Sequence, residues 1–180
     1  AGLADTFNVL GYYSAKPPRT VYPRAKAAAT RALEIDPTLA EAHASLGYAT
    51  LFFDRNWAEA ERHFQAALAH NPKYASAHQW YGWFLLVMER FDEMVEEPQH
   101  ACELDPLSLI INDHLGYALS LAGRHDDAIA QLQRALELDP NFSLTHLRLG
   151  LELRGLGRRD EGRASITRAV DVREGRIGLA

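Results

Sequence analysis

Two residue types keep one period along this chain. Gly11, Gly47, Gly82, Gly116 and Gly150 are separated by 36, 35, 34 and 34 residues. Pro37, Pro72, Pro106 and Pro140 are separated by 35, 34 and 34. Before each proline stands a similar phrase: ALEIDP, ALAHNP, ACELDP and ALELDP. Two independent markers on one period mean that a single unit has been copied along the chain. A unit of this length cannot bury an apolar face by itself. It must stack on its neighbours, with about three copies as the minimum.

Each period holds two helical patterns. The first carries Leu10-Gly11-Tyr12, Leu46-Gly47-Tyr48, Tyr81-Gly82-Trp83, Leu115-Gly116-Tyr117 and Leu149-Gly150-Leu151. The second places apolar residues at helical spacing, as in Ala128, Leu132, Ala135 and Leu136. Short turns join them at Asp54-Arg55-Asn56, Glu89-Arg90, Gly123-Arg124 and Gly157-Arg158. Asp92, Asp126 and Asp160 follow, where the positive end of a helix favours acids. The Asp/Asn-Pro pair then ends the second helix, because a residue before proline is pushed out of α geometry. No segment reads as a strand. A glycine inside a helix costs roughly 1 kcal/mol relative to alanine. The expected return is a close approach to Ala60, Ala128 or their equivalents.

These phrases resemble the tetratricopeptide repeat (TPR) family, whose pattern is an aromatic, Leu-Gly, an aromatic, Ala, Phe, Ala and Pro over 34 residues. Five repeats fit, at 4–39, 40–74, 75–108, 109–142 and 143–176, with a short tail at 177–180. The resemblance implies an all-α fold, an α-solenoid of five helix-turn-helix repeats in a right-handed superhelix, as a single domain over 1–180. The first repeat holds two extra residues around Lys16-Pro17-Pro18-Arg19, and the second holds one near Asp54-Arg55-Asn56. His43, His78 and His146 stand where the family often has tryptophan, and they read as packing. In the third repeat Met94 replaces the small alanine and Pro98 the phenylalanine. Proline removes a backbone donor, so a kink or break is expected between Met94 and Pro98. The final repeat is followed by Gly-Arg-Ile-Gly-Leu-Ala, shorter than the polar capping helix of such arrays. An exposed apolar face is therefore expected around Ile166, Val170 and Val172. With Ala1 at its start, the chain reads as a piece of a longer polypeptide.

Composition narrows the function. The net charge of −5 is uneven: +2 over residues 1–39, −10 over 40–142 and +3 over 143–180. An acidic middle is the wrong face for nucleic acid. No apolar run approaches the ~20 residues of a membrane span. One cysteine, Cys102, excludes a disulfide framework. The histidines form no metalloprotease signature, no serine sits in a nucleophile elbow, and Gly155-Leu156-Gly157 lacks the third glycine of a phosphate loop. The sequence thus predicts no enzyme, no cofactor and no metal site.

The resemblance implies that repeat positions 2, 5, 9 and 12 face a concave groove. Candidate partner-binding residues are then Asn8, Tyr12, Glu41, Tyr48, Gln79, Trp83, Asp113 and Tyr117. Tyr12, Tyr48, Trp83 and Tyr117 share position 9 and form an aromatic stripe, which either meets a ligand or fills space between first helices. Asp5, Glu41 and Asp113 would repel a carboxylate. The basic residues by which one TPR subtype grips a C-terminal carboxylate are missing, since those positions carry Asn8, Tyr12, Ser45, Ser76 and Trp80. The expected ligand is a protein or peptide segment with apolar or aromatic and basic residues. The array also resembles TPR regions of bacterial signalling or transcription-regulator proteins, through Leu39-Ala40-Glu41-Ala42-His43-Ala44-Ser45-Leu46 and Asp105-Pro106-Leu107-Ser108-Leu109-Ile110-Ile111-Asn112. The expected role is a cytoplasmic protein–protein interaction module of a larger regulatory protein. The alternative is a scaffold that self-associates through its C-terminal helix.

Overall fold

A computed structural model describes residues 1–12 and 16–175, so the tail at 177–180 lies outside the described residues. Every regular element among the described residues is helical. The helices are α1 (Gly2–Tyr12), α2 (Pro18–Ile35), α3 (Ala40–Ala49), α4 (Trp57–His70), α5 (Ala75–Val87), α6 (Phe91–Leu104), α7 (Leu109–Leu121), α8 (His125–Leu138), α9 (Ser143–Gly155) and α10 (Arg159–Arg173). They alternate as first and second helices of the repeats, so the chain has the expected all-α helix-turn-helix architecture.

The Asp/Asn-Pro pairs act as the sequence predicts. Asp36, Asn71 and Asp139 cap α2, α4 and α8 with ψ near +90 to +100°. Each side chain then accepts from the backbone N–H two residues on, at Thr38, Lys73 and Asn141. This local turn redirects the chain into the next first helix.

Two compact units divide the chain, residues 1–97 and 98–180. In the first, α1 pairs with α2 and α3 with α4, and α5 packs on both α3 and α4. Its core centres on Phe64, Phe84, Leu51 and Leu85, all at most 2% exposed. The Phe64, Tyr81 and Phe84 rings lie 5.7–6.1 Å apart. In the second unit α7 pairs with α8 and α9 with α10, while α9 packs on α8. Ile129, Leu132, Leu149 and Leu153 form its core. The break expected in α6 is not seen. The helix runs without interruption through Pro98, and Met94 is buried.

The extra residue of the second repeat is taken up as one π-helical turn, Thr50–Asp54, followed by Arg55 in the left-handed region at φ 55°. An inserted residue inside a helix is commonly absorbed in this way. The turn sets Phe52 against Tyr12 and Tyr48, and stacks Phe53 on Tyr22 of α2.

The later turns reverse the chain through a left-handed residue at repeat position 15, occupied by Glu89 (φ 57°), Gly123 (φ 75°) and Gly157 (φ 80°). A side chain is disfavoured there. Glu89→Gly should therefore raise stability by about 1 kcal/mol, read as a shift of the urea midpoint with unchanged slope.

The helix glycines meet the expected partner in the last repeat and a larger one in the others shown. A Cβ on Gly47 would lie 3.0 Å from the Phe64 ring, and one on Gly116 would lie 2.7 Å from Leu132 Cγ. On Gly150 it would lie 2.6 Å from Ile166 Cγ1 and 2.8 Å from the Gly162 carbonyl oxygen. Gly47 and Gly116 make room for a large side chain of the second helix, whereas Gly150 approaches both Ile166 and Gly162, the residue equivalent to Ala128.

Candidate functional site

Position 4 of the repeats carries a polar clasp where packing was expected. His43, His78 and His146 each direct Nε2 at a proline carbonyl six residues back, that of Pro37 (3.0 Å), Pro72 (2.9 Å) and Pro140 (2.9 Å). Asn112 donates Nδ2–H to Pro106 in the same way, at 3.0 Å. The other polar atom of each side chain faces the second helix of its own repeat. His43 Nδ1 lies 3.1 Å from His63 Nδ1, His78 Nδ1 lies 2.6 Å from Glu97, and Asn112 Oδ1 accepts from Gln131 at 2.6 Å. In the last repeat Ser165 Oγ stands 3.5 Å from His146 Nδ1. The partner falls 19 or 20 residues downstream, a spacing that no short motif reveals.

The partner decides the protonation state. A carbonyl accepts, so Nε2–H belongs to each histidine. Glu97 also accepts, so the His78 clasp is complete when both ring nitrogens carry protons. Burial pulls the His78 pKa down, yet the Glu97 bond, the Pro72 carbonyl and the Glu97 charge outweigh it and leave the value raised. His43 and His63, by contrast, share one proton between their Nδ1 atoms. Burial, the neighbouring His43, Arg62 and Lys26 lower the His63 value against the pull of Glu59. The raised His78 stabilises the fold below the ordinary histidine value and loses that contribution as pH rises through its folded value. The lowered His63 stabilises above the ordinary value and loses its contribution as pH falls. His78→Gln should therefore cost more at pH ~5.5 than at pH ~8, and His63→Gln the reverse. Unfolding midpoints of the two variants at both pH values check this.

On the first-helix face of residues 1–97, Tyr12, Tyr48 and Trp83 meet in one cluster. Tyr12 lies 6.4 Å from Tyr48 and 5.9 Å from Trp83, centroid to centroid. Tyr48 also packs on Phe52 at 4.6 Å and Trp80 at 4.9 Å, and is itself buried. Tyr12 and Trp83 stay partly exposed, as does Glu41. The same first helices carry Asp5 and Glu41, and both carboxylates act on Tyr74. Burial raises the Asp5 pKa against the Ser45 hydroxyl, which donates to its carboxylate. Burial also pushes Tyr74 up to about 12, helped by the charges of Asp5 and Glu41. Asn8 and Gln79 are buried. Asn8 donates to the Ser45 carbonyl at 3.0 Å, and its Oδ1 has no partner among the described residues. Sequence reasoning missed Tyr74 and named Trp80 only as a residue at a carboxylate-grip position, since both stand outside position 9.

In residues 98–180, Asp113 is 1% exposed. Arg148 forms an ion pair with it, and Thr145 donates to it at 2.7 Å. The carboxylate is thus engaged inside the protein and does not face solvent. The same guanidinium lies 4.4 Å above the Tyr117 ring and covers one face of it. Of the eight predicted groove residues, Tyr12, Glu41, Trp83 and Tyr117 keep access to solvent, while Asn8, Tyr48, Gln79 and Asp113 are buried.

Among the described residues no helix is long and apolar enough to cross a membrane. Family models for the tetratricopeptide repeat match residues 50–93 and 111–142, and neither describes a catalytic family. No curated protein matches the chain significantly in sequence. Solved structures with the same fold include MamA, at 21% identity and TM-score 0.71, covering 88% of this chain and 92% of its own. PilF of Pseudomonas aeruginosa superposes at 23% identity and TM-score 0.75, covering 95% of this chain and 77% of its own. YrrB, described as a TPR protein with an unusual peptide-binding site, does so at 22% identity and TM-score 0.66, covering 94% and 84%. The chain carries tetratricopeptide repeats at residues 50–93 and 111–142, within the all-helical solenoid fold of such proteins.

Proposed function

We propose that this chain is a protein–protein interaction module that binds a peptide segment across the first-helix face of residues 1–97. The observation that carries this reading is the joined pair of accessible rings, Tyr12 and Trp83, on first helices that also carry the carboxylates Asp5 and Glu41. Rings supported by other rings lose little entropy on binding, which suits them as anchors. The two carboxylates favour a ligand with Lys or Arg beside its apolar or aromatic residue. Charge then sets register and speeds association, while ring burial supplies most of the affinity. YrrB is the likeness that supports a peptide ligand. The resemblance to TPR regions of bacterial regulators supports a place in a larger cytoplasmic regulatory protein, with residues 1–180 as one TPR domain.

Selection of a random peptide library on the purified chain tests the reading. The selected peptides should share an aromatic or aliphatic residue next to Lys or Arg. Trp83→Ala should weaken a selected peptide about 30-fold, or ~2 kcal/mol, and Arg134→Ala should leave it unchanged. Equal binding to the parent and Trp83→Ala would reduce the cluster to packing. A second reading, self-association through α10, is favoured by the exposure of Leu151 (55%) and Val170 (44%). Light scattering across concentration separates the two.

A further inference from the structure

The outer face of α9 and α10 presents a site whose ligand can be deduced from the preceding repeat. Leu151, Arg154, Arg159, Arg163, Ile166 and Thr167 line a cavity of about 640 Å³ there. Leu147 and Leu151 are 40% and 55% exposed. Arg154, Arg159 and Arg163 take part in no ion pair among the described residues. Arg159 and Arg163 are one turn apart on α10, so their charges repel until an anion joins them.

One repeat earlier, the equivalent place is filled. There α9 packs on α7 and α8, and its Glu152 carboxylate accepts from the Ser120 hydroxyl and from His125. Moving 34 residues along the chain turns Ser120 into Arg154, His125 into Arg159 and Leu132 into Ile166. The carboxylate position is therefore kept, and both groups that would receive the carboxylate become cations. The same step turns Asp113 into Leu147 and Tyr117 into Leu151. Those two residues receive Arg148 of α9. The outer face thus rejects a basic residue at that place and accepts an apolar one.

We propose that this face binds an amphipathic helix of a partner protein, with a Glu or Asp between Arg154 and Arg159 and an apolar residue one turn before it, over Leu147 and Leu151. A guanidinium can take a carboxylate through two parallel hydrogen bonds, and the apolar floor supplies the contact area. A second copy of this chain fits less well, because the one acid of its first helix α1, Asp5, is already held by Ser45. This surface is separate from the aromatic cluster and does not depend on the reading given for it.

The chain itself supplies the probe. A fluorescein-labelled peptide of residues 143–156 carrying Arg148→Leu retains Glu152 and replaces the residue that the outer face excludes. Its anisotropy is titrated with the whole chain. Saturable binding is expected, weakening at least tenfold for the Glu152→Gln peptide and for the Arg159→Glu protein. The Glu152→Lys peptide with the Arg159→Glu protein should recover most of the loss, and added salt should weaken the parent pair. Trp83→Ala should change nothing. The inference is overturned by no saturable binding, by equal affinity for the Glu152→Gln peptide, or by loss of binding in Trp83→Ala. It is overturned as well if the chain self-associates and Arg159→Glu abolishes that association, since the occupant is then a second copy.

Discussion

Arg148→Ala is expected to destabilise the protein by about 3–5 kcal/mol, the range for breaking one partner out of a buried ion pair. Asp113 is 1% exposed and would keep a single hydrogen bond, the one from Thr145. The guanidinium also donates to the Asp113 carbonyl and rests on the Tyr117 ring, so charge and packing are lost together. Burial raises the Asp113 pKa even with Arg148 in place, against the lowering by that charge and by both hydrogen bonds. Buried His114 is driven the other way, well below the ordinary histidine value, by burial and by Arg148. A raised carboxylate favours the folded state below its unfolded value and loses that contribution as pH rises through its folded value. The deficit of Arg148→Ala should therefore shrink toward acid pH, as Asp113 takes up a proton. The double change Asp113→Leu with Arg148→Leu should cost less than Arg148→Ala alone. The next repeat already has Leu147 at the Asp113 position. Urea unfolding of the three variants at pH ~7 and ~4.5 decides the matter. A cost under about 1 kcal/mol for Arg148→Ala at pH ~7 would show that the pair contributes nothing.

Gly150→Val is expected to cost more than about 3 kcal/mol, because the crowding is against backbone. A Cβ there would lie 2.8 Å from the Gly162 carbonyl oxygen and 3.0 Å from the Ile166 nitrogen, neither of which can turn aside. Helix propensity alone would make Gly150→Ala favourable by about 1 kcal/mol. The contact reverses that sign, so Gly150→Ala should also destabilise, by about 1–3 kcal/mol. Gly155 in the same helix has nothing within 4 Å of its would-be Cβ. Gly155→Ala should leave stability unchanged or slightly raised, and thermal melts of the three variants give the comparison. Loss of the α9–α10 contact would also misplace Arg154, whose Cγ would lie 2.5 Å from a Cβ on Gly162. Gly150→Val should thus lose the outer-face peptide as well.

The period of Gly and Pro determined, without any structure, that the chain folds as stacked helix pairs and where each pair begins. That is legible because the signals are local. Asp-Pro fixes backbone angles at one place, and apolar spacing fixes which stripe of a helix is buried. The extra residue near Asp54 was legible as an insertion, but its form as a π turn was not. That form sets Phe52 on Tyr48 and Phe53 on Tyr22, contacts between helices that no local signal announces. The unbroken α6 has the same lesson. Proline removes one hydrogen bond, and whether the helix then breaks depends on what surrounds it. Partners across helices lay beyond the sequence altogether. Residues 19 or 20 apart along the chain became the His43–His63, His78–Glu97 and Asn112–Gln131 clasps. Repeat numbering placed Tyr48 and Trp83 alike, yet tertiary packing buried the first under Phe52 and Trp80 and left the second partly open. A repeat position specifies a direction away from the helix axis. How far a side chain stands from solvent is set by the size of the residues on the neighbouring helices, and that is a property of the assembled stack.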